Sequence, residues 1–282
     1  MILKIRHLTR YRYPAAVSLG AQTLRLKPRV EPGQRLLDFS LRLSPQPQGL
    51  GENLELDGSH SQLAWFQGLH TAFEAEALST VELERENPFA FVVSEPGFLT
   101  LPARYPGALE AALHPYLHRA HSSPAVDTLS RDVLQAVRGS STAFLPALCL
   151  RLHGQLARVP RPEGPCLAPE ATLSAGQGAC RDLAWLFVDA ARAAGLAARF
   201  VSGYAFTGLG SDLHELHAWA EAYLPGGGWR AFDPSTGLAL GDSHVTLVAA
   251  YHPDLAAPLS GSFSGPGSAI METEVDIAMQ NP

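Results

Sequence analysis

The two ends of the chain carry strand-like segments of opposite charge, and this restricts the topology more than any other feature. Near the start, Leu3, Ile5, His7, Thr9, Tyr11 and Tyr13 alternate with Lys4, Arg6, Leu8, Arg10 and Arg12, the period of two of a half-buried strand. Near the end, Thr273, Val275, Ile277 and Met279 alternate with Glu272, Glu274 and Asp276. Opposite charges across a strand pair favour each other, so the first and last strands are expected to be neighbours. Further runs at Gln22–Leu26, Leu36–Leu43, Ser61–Phe66 and Ala75–Leu83 are separated by Glu31-Pro32-Gly33 and Pro45-Gln46-Pro47-Gln48-Gly49. Together they predict a β-sandwich-like module over residues 1–100.

Between Asn87 and Pro115 the prolines at 88, 96, 102, 106 and 115 are too many for long regular elements, which places a module boundary there. Helical patterns follow at Thr128–Arg138 and Phe144–Leu156, and the proline-rich stretch Val159–Pro169 reads as a loop. Ala179–Gly195 has an apolar stripe of Leu183, Leu186, Phe187, Ala190, Ala191 and Ala194, with Asp182, Trp185, Asp189 and Arg192 on the opposing face. Gly195 stands where a helix C-cap glycine belongs. Three strand-like segments come next, Ala198–Tyr204, Leu216–Leu224 and Trp229–Asp233, the last two joined by Pro225-Gly226-Gly227-Gly228. The fold class is therefore α+β, with a second domain over 101–260 in which one helix packs on an antiparallel sheet, and a last segment, 261–282, that returns to the β module.

Composition removes several functions. With 21 Lys and Arg against 27 Asp and Glu the formal net charge is -6, which gives no general attraction to nucleic acid or anionic lipid. No window reaches the roughly 18 uncharged apolar residues of a membrane span, and the first residues lack the pattern of a signal peptide. Neither a nucleic-acid nor a membrane partner is expected, and no cofactor. Cys149, Cys166 and Cys180 are odd in number and form no C-x-x-C pair, which speaks against a disulfide framework and a cysteine zinc site and fits a cytoplasmic, reducing compartment. No metal is expected elsewhere either. His114, His118 and His121 are spaced for one helical face, but Pro115 disturbs that helix and no carboxylate joins them, so they read as a solvated face. His214-Glu215-Leu216-His217 lacks the i, i+4 histidines of a zincin, and Gly261-Ser262-Phe263-Ser264-Gly265 has Phe263 where a serine nucleophile would stand.

The segment Gly176-Gln177-Gly178-Ala179-Cys180-Arg181-Asp182 puts a thiol at the start of a helix. The partial positive charge there stabilises a thiolate, and small residues such as Gly178 let a substrate approach the sulfur and leave backbone N–H groups for an oxyanion. A thiolate needs a base. His217 stands on a downstream strand, and Asp233, near the end of the next, can accept a hydrogen bond from the imidazole and fix its tautomer. The two cooperate only if the hairpin register has an even sum. Tyr223 opposite Trp229 satisfies this, with Trp219 across from Asp233 and His217 on the diagonal, about 7 to 8 Å away between backbones.

These residues resemble bacterial transglutaminase-like proteins, within the superfamily of animal transglutaminases, peptide N-glycanases and related cysteine proteases. Four blocks carry the resemblance in order: Gly178-Ala179-Cys180-Arg181-Asp182-Leu183-Ala184, Ala198 to Tyr204, His217 to Pro225, and Gly228 to Ser235. Arg10-Tyr11-Arg12-Tyr13 and Thr23-Leu24-Arg25-Leu26-Lys27-Pro28 look like the β region that often precedes this core in bacteria. The resemblance implies a papain-like core with Cys180 as nucleophile, His217 as base and Asp233 as orienter. Many relatives carry a bulkier residue before the cysteine and Phe-Ala-His after the aspartate; this chain has Ala179 and Leu183-Ala184-Trp185.

Asp182 reads first as an acid favourable to the helix dipole, which the resemblance allows also to organise the site. Tyr204 and Trp219 read as walls or core. Glu221 needs a cation if buried, with Arg199 and Arg230 as candidates, and His244 reads as structural. The expected chemistry is acyl transfer on an amide through a thioester, on a peptide or protein substrate. Water as acceptor gives a peptidase or amidase, a primary amine gives a transglutaminase, and hydrolysis is favoured because no amine-selecting site stands out. The alternative is a non-catalytic peptide-binding module on the same scaffold.

Overall fold

The computed structural model describes residues 1–84, 87–119, 122–161, 164–206 and 215–280. The chain begins with a single long strand, β1 (Ile2–Leu24), followed by β2 (Gln34–Ser44), β3 (Gly49–Leu54), β4 (His60–Trp65) and β5 (His70–Leu83). The first half of β1 pairs with β5 on one side, and its second half pairs with β4. Between them the register with β5 shifts from Arg12 to Val17. Pro14, which has no N–H to donate, falls in that gap, so two runs separated in the sequence reading are one bent strand. The inward residues Val17, Leu19 and Leu24 of β1 close with Phe73, Ala75, Ala77 and Ala64 on one apolar cluster, and the sheet-rich region expected is built as one connected sheet with the order β2-β5-β1-β4-β3.

The chain then forms α1 (Gly107–Leu117), α2 (Pro124–Ala136), α3 (Ser141–Gln155), a short β6 (Ala157–Arg158), α4 (Pro169–Ala175), β7 (Gln177–Gly178) and α5 (Cys180–Ala193). The helix α1 corrects the expectation that the proline-rich span holds no long regular element. It runs through Pro115, near its end, where little helix remains to be disrupted. A five-stranded antiparallel sheet follows, built from β8 (Ala198–Ala205), β9 (Glu215–Leu224), β10 (Gly228–Asp233), β11 (Leu238–Ala239) and β12 (His244–Ala250), in the order β11-β10-β9-β8-β12. The chain returns through β13 (Leu259–Ser264) and β14 (Ile270–Gln280), which pair with the second and first halves of β1.

First and last strands are therefore neighbours. Ile5 faces Ile277 and Arg6 faces Asp276. Arg6 bonds Asp276 at 3.3 Å and Arg10 bonds Glu274 at 3.2 Å. These pairs are partly exposed and contribute little individually. The inward side matters more. Leu3, Ile5, Val81, Leu83 and Ile277 belong to the same apolar core as the helices and the second sheet, so the β module and the second unit share an interior.

Helix α5 lies at the centre of that interior. Its apolar stripe packs on Ala218, Ala220 and Ala222 of β9 and on Phe232 of β10, with Phe187 and Phe232 stacked at 5.7 Å. The opposing face is buried as well, which the stripe alone did not indicate: Asp182, Asp189 and Arg192 are all under one-tenth exposed. Each has partners. Arg119 grips Asp189 with two bonds of 2.7 and 3.0 Å. Arg192 donates to the carbonyls of His118, Ala198 and Tyr251, and its burial lowers its pKa to about 10.

A further link joins the two units. The register of β12 against β8 shifts at Thr246, which leaves that residue's backbone groups for other partners. Gln34 takes them, its amide donating to the Thr246 carbonyl at 2.9 Å and accepting from its N–H at 2.7 Å.

The shared core predicts a contrast at the last strand. Ile277→Ala should lower unfolding free energy by about 2 to 5 kcal/mol, whereas Glu274→Gln should cost less than about 1 kcal/mol. Denaturant titration of both variants measures the difference.

Candidate active site

Cys180 is the first residue of α5 and follows the N-cap Ala179. Two devices fix that helix start. Gly176 adopts a left-handed conformation, φ 64°, and ends α4. Gly178 is buried, and a Cβ added there would lie 2.9 Å from the Cβ of Asp182 and 3.2 Å from Thr172. Gly178 therefore allows close packing behind the thiol, and its missing side chain is not replaced by open space for a substrate. Asp182 reaches back to accept the N–H of Ala179 at 2.8 Å and the N–H of Leu167 at 2.8 Å, and it pairs with Arg161 at 2.5 Å. Burial would raise its pKa, but the hydrogen bonds from Arg161 and the two backbone groups outweigh it and hold the carboxyl below its ordinary value. Asp182 thus ties the proline-rich loop to the base of the helix.

The hairpin of β9 and β10 has the expected register, with Tyr223 opposite Trp229 and Ala220 opposite Phe232. His217, Trp219 and Glu221 share one face. Glu221 takes Arg199 as its cation at 2.6 Å. His217 donates from Nε2 to Oδ2 of Asp233 at 3.0 Å, and both are buried. Asp233 accepts further hydrogen bonds from the Ser235 N–H at 2.8 Å, the Ser235 hydroxyl at 2.7 Å and the Thr236 hydroxyl at 3.0 Å. Burial acts to raise its pKa, yet His217, His244 and Ser235 together hold it far below the ordinary carboxylate range. The carboxylate is ionised at neutral pH and aimed at one imidazole nitrogen.

His217 and Cys180 line the same cavity, of about 500 Å³, at the seam between the β module and the second unit. One wall comes from β1 and β14 and another from Phe200, Ser202 and Leu216. Tyr204 and Trp219 are buried behind it and do not reach it. Trp219 lies edge-on to His244 at 5.0 Å, over Gly203, where a Cβ would meet the indole at 2.6 Å.

Comparison with known proteins bears on this arrangement. Residues 3–82 match the family described as bacterial transglutaminase-like N-terminal region, and residues 130–234 match the transglutaminase-like superfamily. The chain joins a bacterial transglutaminase-like N-terminal region to a transglutaminase-like superfamily core. An uncharacterised Mycobacterium tuberculosis protein is 23% identical over 97% of this chain and 91% of its own length. One from Mycobacterium leprae is 28% identical over 36% of this chain and 37% of its own length. The solved structure of a proposed cysteine protease from Cytophaga hutchinsonii covers 100% of this chain and 92% of its own, at 20% identity and a TM-score of 0.75. That likeness shows a shared fold over both units, a sheet-rich N-terminal region and a transglutaminase-like core.

The transglutaminase-like core holds several residues that the sequence reading missed or valued differently. Ser235 and Thr236 bond Asp233 from the turn that follows it, a role that an Asp-Pro-Ser-Thr sequence could have suggested, because short polar side chains cap such turns. His244 is part of the site's frame, 3.8 Å from Asp233 and hydrogen-bonded to Ser243 at 2.9 Å. Burial, the largest effect on it, lowers its pKa. Among the described residues, His217, Asp233 and His244 are the group whose ligand-type atoms lie close enough for a metal, within 4.8 Å of one another. Hydrogen bonds already engage the Asp233 carboxylate on both oxygens, so the set reads as an imidazole held by a braced carboxylate. His114 and His118 are exposed on and after α1, as a solvated face requires. His121 and His214 lie outside the described residues.

The β module contributes His7, which the alternation of the first strand places inward. It lines the cavity, and burial lowers its pKa from 6.5 to about 4. A native pKa below the unfolded one means that the unfolded chain binds the proton first as pH falls. The stability tied to neutral His7 is present above pH 6.5 and is lost towards pH 4, by about 3 kcal/mol in all. Unfolding titrations across this interval should find His7→Asn less stable than wild type at pH 7 and its decline towards pH 4 smaller by about that amount.

Proposed function

We propose that this protein is a thiol-dependent amide hydrolase, a cysteine peptidase or amidase that works through a Cys180, His217 and Asp233 triad. The observation that carries the reading is the buried bond between His217 Nε2 and an ionised Asp233, in the wall of the cavity that also receives Cys180. With Nε2 committed to Asp233, proton exchange with the thiol runs through Nδ1. His217 takes the proton of Cys180, and the sulfur attacks the amide carbonyl to form an S–C bond. The Cys180 N–H, at the helix start, hydrogen-bonds the oxygen as it gains charge. His217 then gives its proton to the departing amine as the C–N bond breaks, which leaves a thioester. Water, deprotonated by the same imidazole, cleaves the thioester and restores the thiol.

Gly178, Asp182, Tyr204 and Trp219 serve as site-shaping groups. Asp182 steadies the helix start, and the two aromatic residues back the strands that carry the imidazole. Peptide or protein amides are the proposed substrates, and a primary amine that competes with water at the thioester would make the product a transamidated one. Cys149, Cys166 and Cys180 form no disulfides, and no described helix is long and apolar enough to cross a membrane. These features support a cytoplasmic setting.

The three thiols should differ in reactivity. Burial pushes Cys166 up to about 12 and Cys149 higher still. Iodoacetamide at pH 7 should therefore label Cys180 first, with the other two labelled only in denaturant, as mass spectrometry of the tryptic peptides would record. On a fluorogenic peptide-amide panel, Cys180→Ala should abolish turnover, and His217→Ala and Asp233→Asn should each lower kcat by roughly 10²- to 10⁴-fold. Equal labelling of all three thiols, together with no turnover on any amide with or without an added primary amine, would overturn the assignment.

A further inference from the structure

The cavity wall that β1 supplies carries a hydrogen-bonded chain that no step above uses. His7 Nδ1 lies 2.9 Å from the Tyr204 hydroxyl, and His7 Nε2 lies 2.9 Å from the Thr9 hydroxyl. All three residues are under one-twentieth exposed. His7 and Thr9 come from β1 of the N-terminal module, and Tyr204 comes from β8 of the core.

Donor accounting gives the chain a direction. Among the described residues, Tyr204 has no other side-chain hydrogen bond than the one to His7, and Thr9 likewise. A neutral imidazole offers one donor and one acceptor. If Nδ1 carried the proton, the Tyr204 hydroxyl would accept it and its own O–H would be buried without an acceptor, a costly arrangement. With Tyr204 donating to Nδ1 and Nε2–H donating to Thr9 Oγ1, the proton left over falls on the hydroxyl that lines the cavity and not on the one enclosed behind it. Thr9 then has its own proton left to give. Thr9, His7 and Cys180 line one cavity, and that proton is available there.

We propose that the Thr9 hydroxyl holds a carbonyl oxygen of the amide substrate in the cavity, with Tyr204 and His7 acting as positioning residues that fix the direction of its proton. The N-terminal module is then part of the substrate site. Phe200, Leu216, Ala256, Leu259 and Met271 line the same cavity, so the fitting substrate presents a peptide carbonyl next to an apolar side chain. Burial, which lowers the His7 pKa to about 4, keeps the ring neutral and the relay intact at neutral pH. Chains of this kind polarise each successive donor.

The proposal rests on the acyl-transfer reading of Cys180, and its test separates the two. Benzyloxycarbonyl-phenylalanyl chloromethyl ketone, which has both the carbonyl and the apolar side chain, is compared with iodoacetamide as alkylator of Cys180 in the full chain. Thr9→Val, a substitution that a strand accepts readily, should raise the KI of the ketone about fivefold to tenfold while its limiting rate and the iodoacetamide rate stay at wild-type values. Thr9→Ser should restore the wild-type KI. Tyr204→Phe removes the group that holds the imidazole in its tautomer, so Thr9 can turn its proton to Nε2. It should give a similar rise in KI, with no further rise in the double variant. A Thr9→Val KI within twofold of wild type overturns the proposal, as does a Tyr204→Phe variant that loses iodoacetamide and ketone reactivity equally, since that marks a structural role. If Cys180 in the wild type reacts with neither reagent, the catalytic reading fails and the proposal falls with it.

Discussion

An ionised carboxylate without solvent is expensive to bury unless hydrogen bonds replace its water, and the arrangement around Asp233 follows from that requirement. The backbone N–H and hydroxyl of Ser235, the hydroxyl of Thr236 and the imidazole of His217 all point at it. The same bonds that make the charge tolerable also fix the imidazole. A strand register displaced by one residue would put His217 on the other face of β9, where the alanines meet α5, and the carboxylate would lose its partner.

The helix that presents Cys180 is held by a comparable logic at its other polar contacts. Asp182, Asp189 and Arg192 sit inside the protein because Arg161, Arg119 and three backbone carbonyls meet them. Removing one member of such a pair leaves the other charge buried alone, which is far more damaging than loss of a surface ion pair. This explains how a helix can be enclosed on all sides and still carry charged residues. Its first turn is tied down in the same way, since Asp182 binds the Ala179 N–H and the Leu167 N–H together.

The β module and the core share one apolar interior. Leu3, Ile5 and Ile277 extend the core of the helical unit, and Gln34 occupies the irregular point of β12. Because β1 alternates, the parity that buries Leu3 and Ile5 also turns His7 and Thr9 inward. Packing and site construction are thus consequences of one pattern, and the cavity has a wall only because the first strand docks on the second unit.

Local patterns in the chain were enough to determine the elements nearest the chemistry. The helix start at Cys180, the even-sum hairpin register and the pairing of a basic first strand with an acidic last one follow from side-chain periodicity and charge, which act over short distances or between directly facing residues. The continuity of β1 through Pro14 and the helix through Pro115 were not legible, because Pro14 falls in a gap of the strand ladder and Pro115 in the last turn of its helix, where a missing N–H disrupts little. Arg161, Arg119, His244 and His7 join the site or its supports from segments far away along the chain. Nothing beside them in the sequence indicates those partners. Tertiary structure alone decided them, since a buried charge or donor accepts whichever complementary group the topology brings within about 3 Å.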